Sequence, residues 1–483
     1  MSFSKLFPKI ALVSISILTC YSLSLNSAIA LQRAPGNLTI NFLLAQTTNN
    51  KSKHQQLIKT LILQNKPEAA LEISERSRNR AFINLLTQKL PTTTIDSIST
   101  EQIKQVAKIQ NATLVQYSLL NEDAQESELV MWVIKPTGEI TMRRVDLKAL
   151  QQKSKTSLAE LIKETRNQIG VRSDYNKGII AVSGESKENS SRKSLKKLHQ
   201  ILIQPIADLL PKQPEERVIF IPQNKLFLVP FAALQDNNGK YLIEKHTIST
   251  APSIQVLDLL HQRKTARNQE KFVPTTMTDD ELLIAGNPTA PKVSLTKGDA
   301  CKPPSLPGAE KEAKNIAQIF NTQALTGDAA TETAIMDKMS QARIIHLAAM
   351  TYPEDCKTNN SPGVVALASS NRDDGWLRTS EIQKLNLKAN LVVLSGCETA
   401  LGKITGDGVI GLSRSFFAAG ADSVIGSLWD IPDIPTATLM TFFHANLSKN
   451  TYKAGALRQA MLETMKQYPN PRDWAGFMLI GLL

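Results

Sequence analysis

From residue 282 to the C-terminus, short apolar runs are interspersed with stretches of helical period. The runs occupy residues 282–285, 344–348, 364–368, 391–394, 424–428 and 477–480, and the helical stretches 309–320, 331–339, 380–387, 409–419, 436–447 and 454–465. Strand and helix in alternation demand a mainly parallel α/β sheet with helices on both faces. One run is apolar throughout, Leu391-Val392-Val393-Leu394, and reads as a central strand buried on both sides. It is closed by Ser395-Gly396 and followed by Cys397. Open parallel sheets place their ligands and reactive groups at the carboxyl ends of strands, so this thiol is a candidate functional group. A buried structural cysteine is the competing reading.

Upstream the pattern differs. Apolar residues at Leu57, Leu61 and Ile62, and then at Ala69, Ala70, Ile73, Phe82, Leu85 and Leu86, flank Asn65-Lys66-Pro67 and predict a helical hairpin over 51–90. Its second half resembles one unit of a tetratricopeptide array. Since such arrays need about three repeats to stand alone, a single unit must pack on the chain downstream of it. A helix over 100–108 leads into strands 114–120, 129–134 and 140–145, the last two joined by the turn Lys135-Pro136-Thr137-Gly138. Helices are expected over 157–169 and 195–210, a second strand pair over 218–221 and 226–231, and a polar, flexible insertion over 263–281. The basic run 187–197 reads as a solvated loop and helix start.

The first 30 residues carry Lys5 and Lys9, an apolar stretch from 10 to 18, and Ala28-Ile29-Ala30, the layout of a secretory signal peptide. A comfortable membrane span takes about 20 apolar residues, which favours export over an uncleaved anchor. Lipid attachment at Cys20 is a further alternative, disfavoured by Thr19 before it. Residues 31–50 read as a polar tether. The net charge of +12 suits attraction to an anionic membrane or wall surface. No arginine-rich arm or aromatic-interleaved basic stripe points to nucleic acid. An exported chain meets oxidising conditions, and three cysteines remain after signal removal. Cys301 and Cys356 both lie in Pro-containing loops and form the expected disulfide, leaving Cys397 as the free thiol.

These stretches, taken together, resemble a CHAT domain, the caspase-like module often found after tetratricopeptide repeats. The resemblance rests on Val218-Ile219-Phe220-Ile221-Pro222, on Leu228-Val229-Pro230-Phe231, on Leu306 to Ala313, and on the long run from Leu391 to Trp429. The helix around Glu75-Arg76-Ser77-Arg78 is also typical of the segment that leads into such domains. The implied layout is a CHAT domain over 110–483, with an N-terminal part (110–262), the insertion (263–281) and a caspase-like core (282–483).

The resemblance implies a cysteine–histidine dyad for peptide-bond cleavage. Cys397 stands at the nucleophile position. The base belongs in a segment of the form His-Leu-Ala-Thr-His-Gly, which here reads His346-Leu347-Ala348-Ala349-Met350-Thr351. Met350 therefore replaces the histidine and Thr351 the glycine beside it. His346 is four strand residues away, about 13 Å at 3.3 Å per residue, and points to the same face as position 350 without reaching it. A base must come within about 3 Å of its proton or act through one water, so His346 is expected to be a partly buried, ordering residue. An unassisted thiol keeps a pKa near about 8.5 and is only a few per cent thiolate at pH 7. The backbones of Thr351 and Cys397 stand where the oxyanion is held, and a side chain at 351 crowds that approach. Asp407 and Asp430 are candidate acids for a pocket that selects a basic residue, with solvated loop acids as the competing reading. No metal-ligand constellation appears, and Gly406-Asp407-Gly408 lacks a phosphate-loop lysine, so no cofactor is expected. Three functions stand: a binding or regulatory module with a degenerate dyad and a protein or peptide partner, a working cysteine endopeptidase that uses another base, or a surface-binding protein whose basic charge holds it to membrane or wall.

Overall fold

The computed structural model describes residues 51–483 apart from 79, 88–97, 123–124, 171–184, 268–271, 293–302, 353–362, 397–398, 400–402, 406–407 and 450–451. The expected signal segment and tether, and the cysteines at 301 and 356, lie outside the described residues. Residues 1–58 and 59–483 divide into two units. Of the first, the described part is the opening of helix Lys51–Leu63.

The second unit is built on one sheet. Its strands in chain order are β1 (Ala112–Glu122), β2 (Gln125–Ile134), β3 (Ile140–Asp146), β4 (Arg217–Ile221), β5 (Thr247–Thr250), β6 (Leu282–Pro288), β7 (Leu325–Gly327) and β8 (Ile344–Ala348). Next come β9 (Thr351–Tyr352), β10 (Val364–Ala366), β11 (Trp376–Arg378), β12 (Leu391–Leu394), β13 (Lys403–Thr405), β14 (Gly408–Ile410), β15 (Ser423–Ser427) and β16 (Phe477–Gly481). Eleven of them form a continuous sheet in the order β3-β2-β1-β4-β5-β16-β15-β12-β8-β6-β7. Pairing is antiparallel at β3-β2-β1 and at β16-β15, and parallel elsewhere. The expected N-terminal part and caspase-like core thus share one hydrogen-bonded ladder, joined where β5 meets β16.

Alternation along each strand builds two cores. Val115, Tyr117, Phe220, Ile284, Ile344, Val393, Ile425 and Leu479 join one apolar cluster with residues of helices Leu158–Gln168, Glu185–Leu202, Pro307–Ile319, Asp433–Leu447 and Lys453–Gln467. Helices Thr100–Gln110, Ile254–Ala266 and Leu412–Ala419 also contact sheet strands, at β1, β16 and β15. Leu114, Ile219, Ile345, Val392 and Val424 are buried too, so the central strands are covered on both faces. All four tryptophans, Trp132, Trp376, Trp429 and Trp474, are fully buried.

Several expectations are corrected. The hairpin over 51–90 contains three described helices, Lys51–Leu63, Pro67–Arg76 and Arg80–Thr87. The second helix ends at Arg76, and Arg78 just beyond it is buried. Its guanidinium donates to the carbonyls of Pro222 (2.9 Å) and Tyr117 and to Ser118 Oγ (3.1 Å). Beside it, buried Glu75 accepts from Gln255 N (3.1 Å) at the start of helix Ile254–Ala266. Trp132 Nε1 donates to Pro67 O (3.0 Å), so the second helix sits directly on the sheet.

Residues 226–231 are not a strand but two 3₁₀ turns, Asn224–Leu228 and Phe231–Ala233. Pro230 has no N–H to give a ladder, and Leu226, Val229 and Ala233 donate to nearby carbonyls instead. The run at 364–368 does not join the main sheet. As β10 it lies in a separate antiparallel sheet, β11-β10-β9. The basic run 187–197 is helical throughout, within Glu185–Leu202. The helix expected from 409 begins at Leu412, because residues 408–410 pair with β13. Arg263, where the insertion is expected to begin, is inside helix Ile254–Ala266 and donates to Phe417 O (2.6 Å) and Ala421 O (2.5 Å).

Candidate functional site

The carboxyl ends of β8, β12 and β15 lie side by side, with Leu394 level with Leu347 on one flank and Gly426 on the other. Ser395 N carries the β8 pairing one step further, donating to Leu347 O (2.8 Å). Gly396 then presses on the chain that leaves β8. A Cβ there would stand 2.4 Å from Ala349 O and 3.5 Å from Thr351 Cγ2, so only glycine fits without displacement. The residue before Cys397 is in this way packed against both neighbours of Met350.

Two hydroxyls clasp the loop. Thr399 Oγ1 donates to Leu394 O (2.8 Å) and accepts from Ser427 N (2.9 Å). Ser427 Oγ donates to Gly396 O (2.5 Å) and accepts from Thr399 N (3.2 Å). Each hydroxyl uses its single donor and a lone pair, tying the ends of the loop to β12 and β15. Cys397 and Glu398, between the tied points, lie outside the described residues, as does Asp407. Asp430 is exposed, three residues beyond the end of β15. Arg166 steadies this segment, donating to Leu428 O (2.8 Å) and lying 5.7 Å from the Trp429 ring.

Met350 is half-buried and packs against Tyr352, Val364, Ala366 and Trp376. Its carbonyl accepts from Ala366 N (2.9 Å), and Thr351 behind it is buried. The thioether is soft and apolar, suited to filling this small core, and offers no proton acceptor comparable to an imidazole. Strand parity puts 346 and 350 on one face, but β8 stops at Ala348 and the chain turns into the small sheet. The two side chains therefore have different surroundings.

His346 is fully buried rather than partly buried. Its Nε2 is 2.8 Å from Glu312 Oε1 and its Nδ1 is 3.1 Å from His444 Nε2. Both ring nitrogens of His346 are thus engaged, one by a carboxylate and one by a second imidazole. Burial first, and His346 second, hold His444 well below the usual imidazole range. The chain Glu312–His346–His444 ties β8 to helices Pro307–Ile319 and Asp433–Leu447. Gly308 N, at the start of the first helix, donates to Asp433 Oδ2 (2.7 Å) at the start of the other.

Sequence reasoning gave no role to Thr399, Ser427, Glu312 or His444; the first three lay within stretches that carried the resemblance, yet nothing there announced their partners. Among the described residues no three His, Cys, Asp or Glu side chains converge as a metal site, and no helix is long and apolar enough to cross a membrane.

Comparison with known proteins agrees with this architecture. Residues 192–482 match the CHAT domain family, more than half of the chain. Tetratricopeptide repeat protein 28 of Homo sapiens is 24% identical over 574 residues, covering 93% of this chain and 23% of that protein. Its Mus musculus counterpart is 23% identical with the same coverage. The chain thus spans less than a quarter of the length of the curated relatives it matches, and the match takes in the helices upstream of 192. Among solved structures, a Saccharomyces cerevisiae separase–securin complex contains a chain with a TM-score of 0.57 and 12% identity, covering 93% of this chain and 38% of that one. At that identity the likeness is one of fold, the caspase-like arrangement of a mainly parallel sheet between helices. On the extent of the family match and on its fold, the chain belongs to the CHAT domain family.

Proposed function

We propose that this CHAT domain is a peptidase-like module whose dyad is degenerate, and that it binds a protein or peptide segment at the strand ends without cleaving it. The observation that carries the reading is the position of Met350. By the resemblance Met350 stands at the base's position, and the close approach of its two neighbours to Gly396, the residue before Cys397, supports that reading. Catalysis by a thiol needs an adjacent group to take its proton and later to protonate the leaving amine. The apolar setting of Met350 supplies neither. What remains suits recognition: a glycine-backed loop, a hydroxyl clasp that fixes its ends, and the exposed carboxylate of Asp430 beyond β15. On this reading the module works outside the cytoplasm as a regulatory or binding element, with Cys301 and Cys356 paired and Cys397 free.

The decisive experiment restores the missing parts. Met350→His with Thr351→Gly is expected to create cleavage of basic-residue peptide substrates, absent from the parent and abolished by a further Cys397→Ala. Cleavage by the parent that is lost in Cys397→Ala alone would overturn the reading in favour of a working endopeptidase with another base.

A further inference from the structure

Far from the strand ends, the sheet has an open edge. β3 is its last strand, and among the described residues β3 pairs with β2 alone. From β3 to β12 is seven strand spacings, about 34 Å at roughly 4.8 Å each, so this edge is remote from the end of β12. A strand edge carries a row of backbone N–H and C=O groups that a further strand would satisfy. Beside it lies a groove of about 560 Å³, lined by Lys59, Ile62 and Leu63 and by Ser127, Glu128, Arg144, Asp146 and Lys148. Leu63 is 80% exposed at the rim, an apolar side chain left in water.

The charges of the groove are unequally spent. Glu128 is neutralised by Arg144 (2.5 Å), and Asp146 caps the following helix by accepting from Ala149 N (3.0 Å). Lys59 donates to Asn121 O (3.0 Å) and makes no ion pair among the described residues. With Lys148 counted, the groove carries three cations against two acids, in a chain whose net charge is +12. Arg144 and Asp146 share one face of β3, which continues through half-buried Met142 and Ile140.

We propose that the outer side of β3 and this groove dock an extended acidic segment of a partner protein by strand addition. Backbone hydrogen bonds to β3 supply affinity, and alternate side chains of the incoming strand face the groove. An acidic side chain meets Lys59, and an apolar one covers Leu63. This inference does not depend on the state of the dyad.

The test uses the full chain and a displayed library of random dodecapeptides. Enriched peptides are expected to alternate acidic and apolar residues, and a labelled synthetic copy should bind with an affinity that falls with salt. Lys59→Glu and Leu63→Glu should each weaken it about tenfold or more, and bound peptide should slow amide exchange across 140–146. Leu63 is exposed, so its variant keeps the measurement open if the Lys59 variant fails to fold. The proposal is overturned by enriched peptides without acidic bias, by affinity unmoved in the folded variants, or by protection elsewhere. Self-association abolished by Leu63→Glu, with no peptide selected, would overturn it in favour of a second copy of this chain.

Discussion

The two ends of β8, β12 and β15 are held by different chemistry. At the amino ends the fastening is ionic and buried. Arg343 Nε donates to Asn390 Oδ1 (2.9 Å), Asn390 Nδ2 to Asp422 Oδ2 (2.9 Å), and Lys453 Nζ to Ser423 Oγ (2.5 Å). Arg267 Nη1 lies 3.6 Å from Asp422 Oδ1, and Arg267 Nη2 donates to Gly420 O (2.6 Å). At the carboxyl ends the loop is tied by two neutral hydroxyls and by the close approach of Gly396 to Ala349. Charges buried at one end fix which strands lie together. The other end is shaped by small groups and backbone.

Mutations should separate the two ends. Asp422→Ala strands Lys453 and Arg267 without their anion and is expected to cost about 3–5 kcal/mol in denaturant unfolding. Gly396→Ala forces a methyl onto the Ala349 carbonyl, a loss of about 1–3 kcal/mol. It should appear chiefly as faster amide exchange and proteolysis between 395 and 399. Thr399→Val and Ser427→Ala each remove one hydroxyl, for about 1 kcal/mol. Their double variant should cost less than the sum, because the two hydroxyls share one network. A Ser427→Ala loss equal to that of Asp422→Ala would erase the contrast.

The smallest and most specific effect is in pH. Burial lowers Lys453 to about 7 despite the pull of Asp422. For a base held below its unfolded value of about 10.5, stability is full above that value and is lost as pH falls from there through about 7. Near the carboxyl ends, Glu332 accepts from Gly375 N (3.0 Å). It is raised to about 7 by burial, then by Glu381, Asp373 and Asp374. Its contribution is full below about 4.5 and is lost as pH rises through about 7. Melting temperatures of the parent minus Lys453→Met, and minus Glu332→Gln, should therefore slope in opposite directions on the two sides of neutrality. Parallel slopes would refute the assignment of these titrations to the two ends.

How much of this was legible in the sequence depended on distance along the chain. The runs 344–348 and 391–394 were readable to the residue, because strands buried on both faces are bounded by polar residues at Arg343, Asn390 and Ser395. The run 364–368 looked the same, yet apolarity does not say which sheet a strand joins, and β10 went to the small one. The stretch 226–231 misled because burial alone does not distinguish a strand from a 3₁₀ turn; Pro230 was the contrary signal. At the site, Met350 stood out by its place in a local segment. The Thr399–Ser427 clasp joins residues 28 apart, and His346–His444 residues 98 apart, so neither leaves a local pattern.

The four buried tryptophans make this sheet a set of optical gauges. Trp132 lies under helix Pro67–Arg76, Trp376 beside Met350, and Trp429 beyond β15, where its Nε1 donates to Arg472 O (2.9 Å). Trp474 meets the Tyr241 ring edge-on at 5.0 Å, near the helix that precedes β16. Since no tryptophan is exposed to contribute a constant background, variants that keep one indole and carry phenylalanine at the other three would report, by emission wavelength, which part of the ladder opens first.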